Sequence, residues 1–424
     1  MALLGNDPIN VVNLNIPSVN APLMPGRLTT TRTATNVTDQ RARYDVTTTA
    51  PAGSTITVSP DKINLAPGAS ATLTITIESR GQTGQQFGEI RLVPRGADRH
   101  PPLHMPVAFV PQQGSVTLTS ACTPATVVQD ASTTCTVNAQ NTSFAGTTAN
   151  LRTTVGRDLR LTGATGAALV ENNRAAEIKA APLKGSIPGV PAVDPGPTPA
   201  GYLPLDTLGI PLSPIGDEEF INLDVPAFVY AGVTYTSIGV NSNGYVKPGG
   251  GTAEDSNCCT LPTGPAPAAP NSMLAPFWTD LDGTGAPGVL AGTVGDGTNS
   301  WVVVEYRVNV FGTTDQRVFQ TWIGANGTED ISYAYPPTGL PTAPGAQDFL
   351  IGAENIAGQG DMVRELPAGD LRVASTAPTP GDSVTYTVTV QGMRRGLSTV
   401  TTTLDSPDVA GTTVATSNVE VVRR

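Results

Sequence analysis

The chain has 424 residues, a net charge of −11 and only four lysines, with 14% charged and 5% aromatic residues. That balance argues against nucleic-acid binding, which needs a basic face to neutralise phosphates, and against an anionic membrane surface; no apolar run approaches the about 20 residues that span a bilayer. Its 45 glycines and 38 prolines break helices while Thr, Val and Ile fill the periodic segments, so the class is all-β, spread over about two to four domains.

Residues 8–111 carry strand signals in close succession: NVVNLNIPSV, LTTTRTATNV, ARYDVTTTA, TITVSP, KINLAPG, SATLTITIES, FGEIRLVP and LHMPVAFV. Their spacing of about 10–12 residues, with Pro-Ala-Gly or Pro-Gly between, predicts a sandwich of two antiparallel sheets. Leu73, Ile75 and Ile77 should face the core and Thr72, Thr74 and Thr76 the solvent; a slip of one residue would reverse them. The unit resembles the fibronectin-III-like domain that follows the catalytic domain of subtilisin-like serine proteases. The residues that carry the likeness run from Leu14-Asn15-Ile16-Pro17-Ser18 and Thr31-Arg32-Thr33-Ala34-Thr35-Asn36-Val37 through Ala50-Pro51-Ala52-Gly53 and Val58-Ser59-Pro60 to Leu65-Ala66-Pro67-Gly68.

Residues 114–185 and 363–424 repeat the same kind of strand: SATLTITIES at 70–79, STTCTVNAQN at 132–141 and SVTYTVTVQG at 383–392. Each alternates Thr with an apolar residue after a turn. Both later units resemble the Ig-like repeats of bacterial surface and secreted proteins. Each is short for a whole sandwich, so they are either separate units or two halves of one domain with the intervening module inserted. Cys122 and Cys135 flank a turn between two strands, and a bridge there would contribute about 3 kcal/mol by restricting the unfolded chain. Residues 186–204 are dense in Pro and Gly and read as a linker.

The central segment, 205–357, is the most distinctive. Val233, Tyr235, Ile238 and Val240 give a strand alternation that breaks at Thr236-Ser237, and Asn243-Gly244 signals a tight turn. Pro276-Phe277-Trp278 then leads into an acidic turn, Asp280-Leu281-Asp282-Gly283. This segment resembles the nidogen-like extracellular β module. The likeness rests on Val240-Asn241-Ser242-Asn243-Gly244-Tyr245, Ala275-Pro276-Phe277-Trp278-Thr279-Asp280-Leu281-Asp282, Val302 to Tyr306, Arg317 to Trp322 and Ile351 to Asn355. It implies extracellular binding or structural work and no catalysis. The expected fold is therefore all-β: tandem Ig/fibronectin-III-like sandwiches with a larger nidogen-like module between the second and third.

Candidate chemistry is sparse. A serine-protease triad needs Asp, His and Ser together. The only histidines, His100 and His104, stand among prolines with no nucleophile motif in the chain, so no catalytic residue is assigned and the endopeptidase activity of the resembled family is not carried over. Asp280 and Asp282, with Asp296, are candidate calcium ligands, although Asp-Gly is also a common turn dipeptide; no other cofactor is expected. Cys258-Cys259 form a bridge between neighbours, join two bridges, or stay reduced in a loop. Trp278, Trp301 and Trp322 read as core anchors ahead of a carbohydrate platform. Asn36, Asn141 and Asn326 fit the N-glycosylation pattern, which is weak.

These residues lead to the expectation of a secreted, non-catalytic accessory region resembling the C-terminal tail of a subtilisin-like protease. Its partners would be an upstream catalytic domain and an extracellular protein or polysaccharide matrix. The alternative is a free-standing adhesion protein. The N-terminus has no positive region followed by an apolar one, so the export signal is expected outside this chain, while a bridge at Cys122–Cys135 favours an oxidising compartment.

Overall fold

The computed structural model describes residues 11–79, 83–96, 100–256, 260–338, 340 and 348–423. Residues 8–10 and Cys258-Cys259, assigned above to the first unit and to a central loop, lie outside the described residues. The structure is all-β, and the chain divides into two compact units, 1–186 with 380–424, and 187–379.

In the first unit, a five-stranded sheet runs Val19–Met24, Leu103–Pro111, Gln86–Pro94, Ala42–Thr49 and Lys62–Leu65. It faces Gly26–Thr35, Ser70–Ser79 and Ser54–Ser59. Leu73, Ile75 and Ile77 are buried between the sheets with Ile56, Ile90, Val107 and Phe109, and Thr72 and Thr74 are exposed, because the pleat sends alternate side chains to opposite faces.

Strands from 116–183 and from 383–422 build a single second sandwich. Ser383–Gly392 lies between Ser132–Asn141 and Leu159–Thr165, and Thr147–Val155 pairs with Gly396–Asp405. Val137, Leu151, Leu161, Tyr386, Val388, Val400 and Val419 share its core. The residues matched at 132–141 and 383–392 are thus antiparallel neighbours. Asn138 Nδ2 donates to Thr385 Oγ1 at 2.7 Å across 247 residues of sequence. Cys122 and Cys135 stand directly opposite each other on Val116–Thr123 and Ser132–Asn141, and are joined by a disulfide.

Two of the N-glycosylation matches turn out to be the same structural corner. Asn36 Nδ2 donates to Gln40 O and Leu65 O while its Oδ1 accepts from Thr38 N and Oγ1. Asn141 does likewise, donating to Ala145 O and Leu183 O and accepting from Ser143 N and Oγ. Both amides are buried. The Asn-x-Ser/Thr spacing serves a local turn at the end of a strand, in which the side chain satisfies backbone groups that no ladder reaches.

The second unit packs two sheets face to face. One runs Pro191–Pro195, Leu371–Ser375, Ile331–Ala334, Gln316–Gly324, Ser300–Val310, Gly288–Gly295 and Leu212–Ser213. The other runs Phe220–Tyr230, Val233–Asn241, Tyr245–Pro248, Met273–Trp278, Leu350–Glu354 and Gly360–Val363. Phe228, Val240, Phe277, Val304, Tyr306, Phe319 and Tyr333 fill the space between them. Both sheets are also covered on their outer faces. Leu205, Trp301 and Trp322 form one outer cluster, and Tyr245, Met273, Trp278 and Met362 the other. All three tryptophans are buried.

Two local expectations change. Residues 191–195 are a strand and not linker; it lies at the end of its sheet, where prolines are tolerated because one row of ladder donors is not needed. The alternation from Val233 fails after Ser237 because Ile238 through Asn241 are all buried, so both faces of the strand are covered there.

Candidate functional site

The site builds outward from the turn at Ser242-Asn243-Gly244. Asn241 pairs with Tyr245 across it, and Gly244 takes φ 82°, a left-handed conformation that glycine adopts without strain. Any Cβ at Gly244 would collide with the Phe277 carbonyl, so the turn lies hard against the strand Met273–Trp278. Asn241, Ser242 and Asn243 are fully buried, and their side chains are spent on fixing loops: Asn241 Nδ2 donates to Ser256 Oγ, and Ser242 Oγ accepts Glu219 N. Asn243 Oδ1 accepts Leu281 N at 2.9 Å, its carbonyl accepts Thr279 N at 3.2 Å, and its Nδ2 donates to Glu218 Oε1 at 3.1 Å.

Those bonds bring two acidic segments together. The loop before Phe220–Tyr230 meets the turn after Met273–Trp278 through a bridge between Asp217 and Asp282 and through Gly283 N donating to Gly216 O. Carboxylate oxygens of Asp217, Glu218 and Asp280 lie within 4.8 Å of one another. Glu218 sits at φ 51°, a conformation that costs a non-glycine residue about 1 kcal/mol, and is held there by Asn243 and by Ser256 Oγ. Partial burial, then the charges of Asp282 and Glu218, hold the Asp217 carboxyl above its ordinary range. Asp280 is raised in the same way, by burial first and then by Glu218, Asp217 and Asp282.

Three convergent carboxylates form a hard-oxygen donor set of the kind calcium takes. The membership differs from the sequence expectation. Asp280 belongs to the cluster. Asp282 stands at its edge, with Oδ1 accepting Thr284 N at 2.6 Å in its own turn. Asp296 is elsewhere: its carboxylate accepts Thr298 N and Asn299 N at 2.8 and 2.7 Å, and these bonds hold it below the ordinary carboxylate range. Asp217 and Glu218 were missed. The acidic run Asp217-Glu218-Glu219 was the available signal, but it lies about 60 residues before its partner Asp280 and only the strand pairing joins them.

The two histidines take separate roles in the first unit. His100 Nε2 is 3.0 Å from Thr38 Oγ1, and His104 is exposed opposite Arg91 on the sheet surface.

Residues 13–108 match the family model of the fibronectin type-III domain, and residues 209–416 match the one described as NIDO related. The chain carries a fibronectin type-III domain and a NIDO-related module. The NIDO-related match thus runs beyond the expected end at 357 and into strands of the second sandwich. Over 81 residues, 19% of this chain, the sequence is 35% identical to the Subtilisin-like protease SBT2.5 of Arabidopsis thaliana, and the match spans only 10% of that protein's length. Among solved structures, the Pseudomonas aeruginosa CupB2 chaperone aligns with 40% of this chain and 82% of its own at 9% identity and a TM-score of 0.20. The C-terminal domain of the Streptococcus agalactiae AgI/II polypeptide BspA aligns with 93% of this chain and 85% of its own at 8% identity and a TM-score of 0.18. Likenesses at such scores carry no argument. Among the described residues no helix is long and apolar enough to cross a membrane, which says nothing of strands.

Proposed function

We propose that this chain is a non-catalytic accessory region that works outside the cell with a subtilisin-like serine protease, stabilising the catalytic domain or holding its substrate or the surrounding matrix. The observation that carries the reading is the fibronectin type-III match over 13–108, of the kind found in subtilases, together with the 81-residue similarity to a subtilisin-like protease. The Cys122–Cys135 bridge fits the same setting, since such bonds persist in oxidising compartments. The test is to join the full chain to a subtilisin-like catalytic domain encoded beside it and compare the protease's half-life and its cleavage of matrix protein with those of the catalytic domain alone. Longer half-life or faster matrix cleavage supports the reading, and identical values for both overturn it.

A second reading, a free-standing adhesion protein, draws on the NIDO-related module at 209–416. It calls for saturable binding of the full chain to an extracellular protein or polysaccharide with no protease present.

A further inference from the structure

In the NIDO-related module, Glu354 ends the strand Leu350–Glu354, opposite Met273, and is 3% exposed. Its Oε2 accepts the N–H of Ala266 at 2.9 Å, whereas Oε1 is buried with no hydrogen-bond partner among the described residues. Ala266 belongs to the segment 260–271, TLPTGPAPAAPN, in which Pro262, Pro265, Pro267 and Pro270 have no N–H to give. Four of its twelve residues therefore offer no backbone donor to hold the stretch down. Arg364 donates to the carbonyls of Pro262 and Thr263, and Gly358 lies so close to the Ala266 carbonyl that a Cβ would collide with it. Beneath the stretch is the outer cluster of Met273, Trp278 and Met362, against which Leu261 packs.

We propose that Glu354 is a pH-sensitive latch: when its buried carboxyl ionises, the segment 260–271 is released and the Met273–Trp278–Met362 face is uncovered. A carboxylate out of water with one oxygen unpaired costs much more than the neutral acid in the same place. Burial accordingly pushes the carboxyl up to about 7, against the single opposing bond from Ala266. The segment itself has no titratable side chain. Around the face stand Tyr230, whose hydroxyl donates to Glu354 O; Asp361, whose Oδ2 accepts Val193 N; and the pairs Lys247–Asp255 and Arg364–Asp348. Burial holds the Tyr230 hydroxyl well above its ordinary range, and the Arg364–Asp348 pair pushes each partner toward its charged form, so neither takes up or loses a proton near neutrality as the Glu354 carboxyl does.

The sign follows from linkage. The closed state binds the proton more tightly than the open one, so closure is favoured at low pH and weakens as pH rises, levelling off above about 7. Amide hydrogen exchange of residues 260–272 in the full chain, corrected for intrinsic rates, tests this. Protection should fall by about tenfold or more between about pH 5.5 and about pH 8.5. In Glu354→Gln the fall should vanish, and in the control Asp361→Asn it should persist. Protection that stays flat in the wild-type chain overturns the proposal whether or not the Gln variant folds, and so does a fall of the same size in Glu354→Gln.

Discussion

Asn243 Oδ1 accepts the backbone N–H of Leu281 at 2.9 Å, so a turn between two strands sets the position of the short acidic strand Leu281–Asp282 nearly forty residues later. Asn243 is fully buried and also donates to Glu218, so its removal takes a side-chain partner from both the Leu281 N–H and the Glu218 carboxylate. Asn243→Ala should cost about 2–3 kcal/mol, the loss of two side-chain bonds with a buried N–H left unpaired. Urea unfolding measures this. An unchanged midpoint would mean that Leu281–Asp282 is positioned by its pairing with Val310 and Asn309 alone.

The Asn-Gly turn was legible because it is a local signal, glycine for a left-handed residue. The acidic turn was only half legible, since Asp282 accepts Thr284 N as a turn aspartate does but Leu281–Asp282 is a short strand paired with Val310 and Asn309, a remote partner that no local signal gives. Leu73, Ile75 and Ile77 were legible from a local signal too, since one face of their strand is wet. Legibility ended where both faces are covered. From Ile238 to Asn241 every residue is buried, and period-two reasoning has nothing to detect. It ended also where partners are remote. That Asp217 meets Asp280, or that Ser132–Asn141 pairs with Ser383–Gly392, depends on packing across many intervening residues. The Pro-rich strand 191–195 was hidden because composition registers proline but not whether a strand lies at an edge.

The Cys122–Cys135 bridge closes a separation of 13 residues between directly paired strands, and Cys135 is fully buried. Replacing both cysteines by serine should cost on the order of 3 kcal/mol by freeing the unfolded chain. The first sandwich has its own core, so its melting should be the less affected. Differential scanning calorimetry of the double variant checks both statements.

The Asp217–Glu218–Asp280 cluster makes a prediction about pH and calcium. A carboxyl raised in the folded state favours folding most below its unfolded pKa, and that contribution is lost as pH rises through the folded value. Near neutrality the cluster therefore works against the fold. Asp217→Asn should stabilise the chain by less than about 1 kcal/mol, because Asp217 is exposed and its repulsion is screened. Calcium at about millimolar concentration should raise the melting temperature of the wild type and do so less in Asp217→Asn and Asp280→Asn. Equal shifts in all three chains would place calcium elsewhere.

Arg307 joins two carboxylates of very different exposure, which gives a rank order to test. Its Nε donates to Glu305 Oε1 at 2.6 Å, and Glu305 is wholly buried, with Tyr202 Oη and Leu205 N donating to it at 2.7 Å each. Its two terminal nitrogens reach Asp206 at 3.0 and 2.8 Å, but the Asp206 side chain is 53% exposed. Removing a partner from a buried carboxylate strands the charge, whereas an exposed one is rescued by water. Arg307→Ala should thus cost about 2–3 kcal/mol, and Asp206→Ala less than about 1 kcal/mol. Both substitutions loosen the stretch 202–206, so hydrogen exchange there should rise more in Arg307→Ala than in Asp206→Ala. Equal costs would mean that the pair with Asp206, and not burial of Glu305, holds this stretch to the sheet.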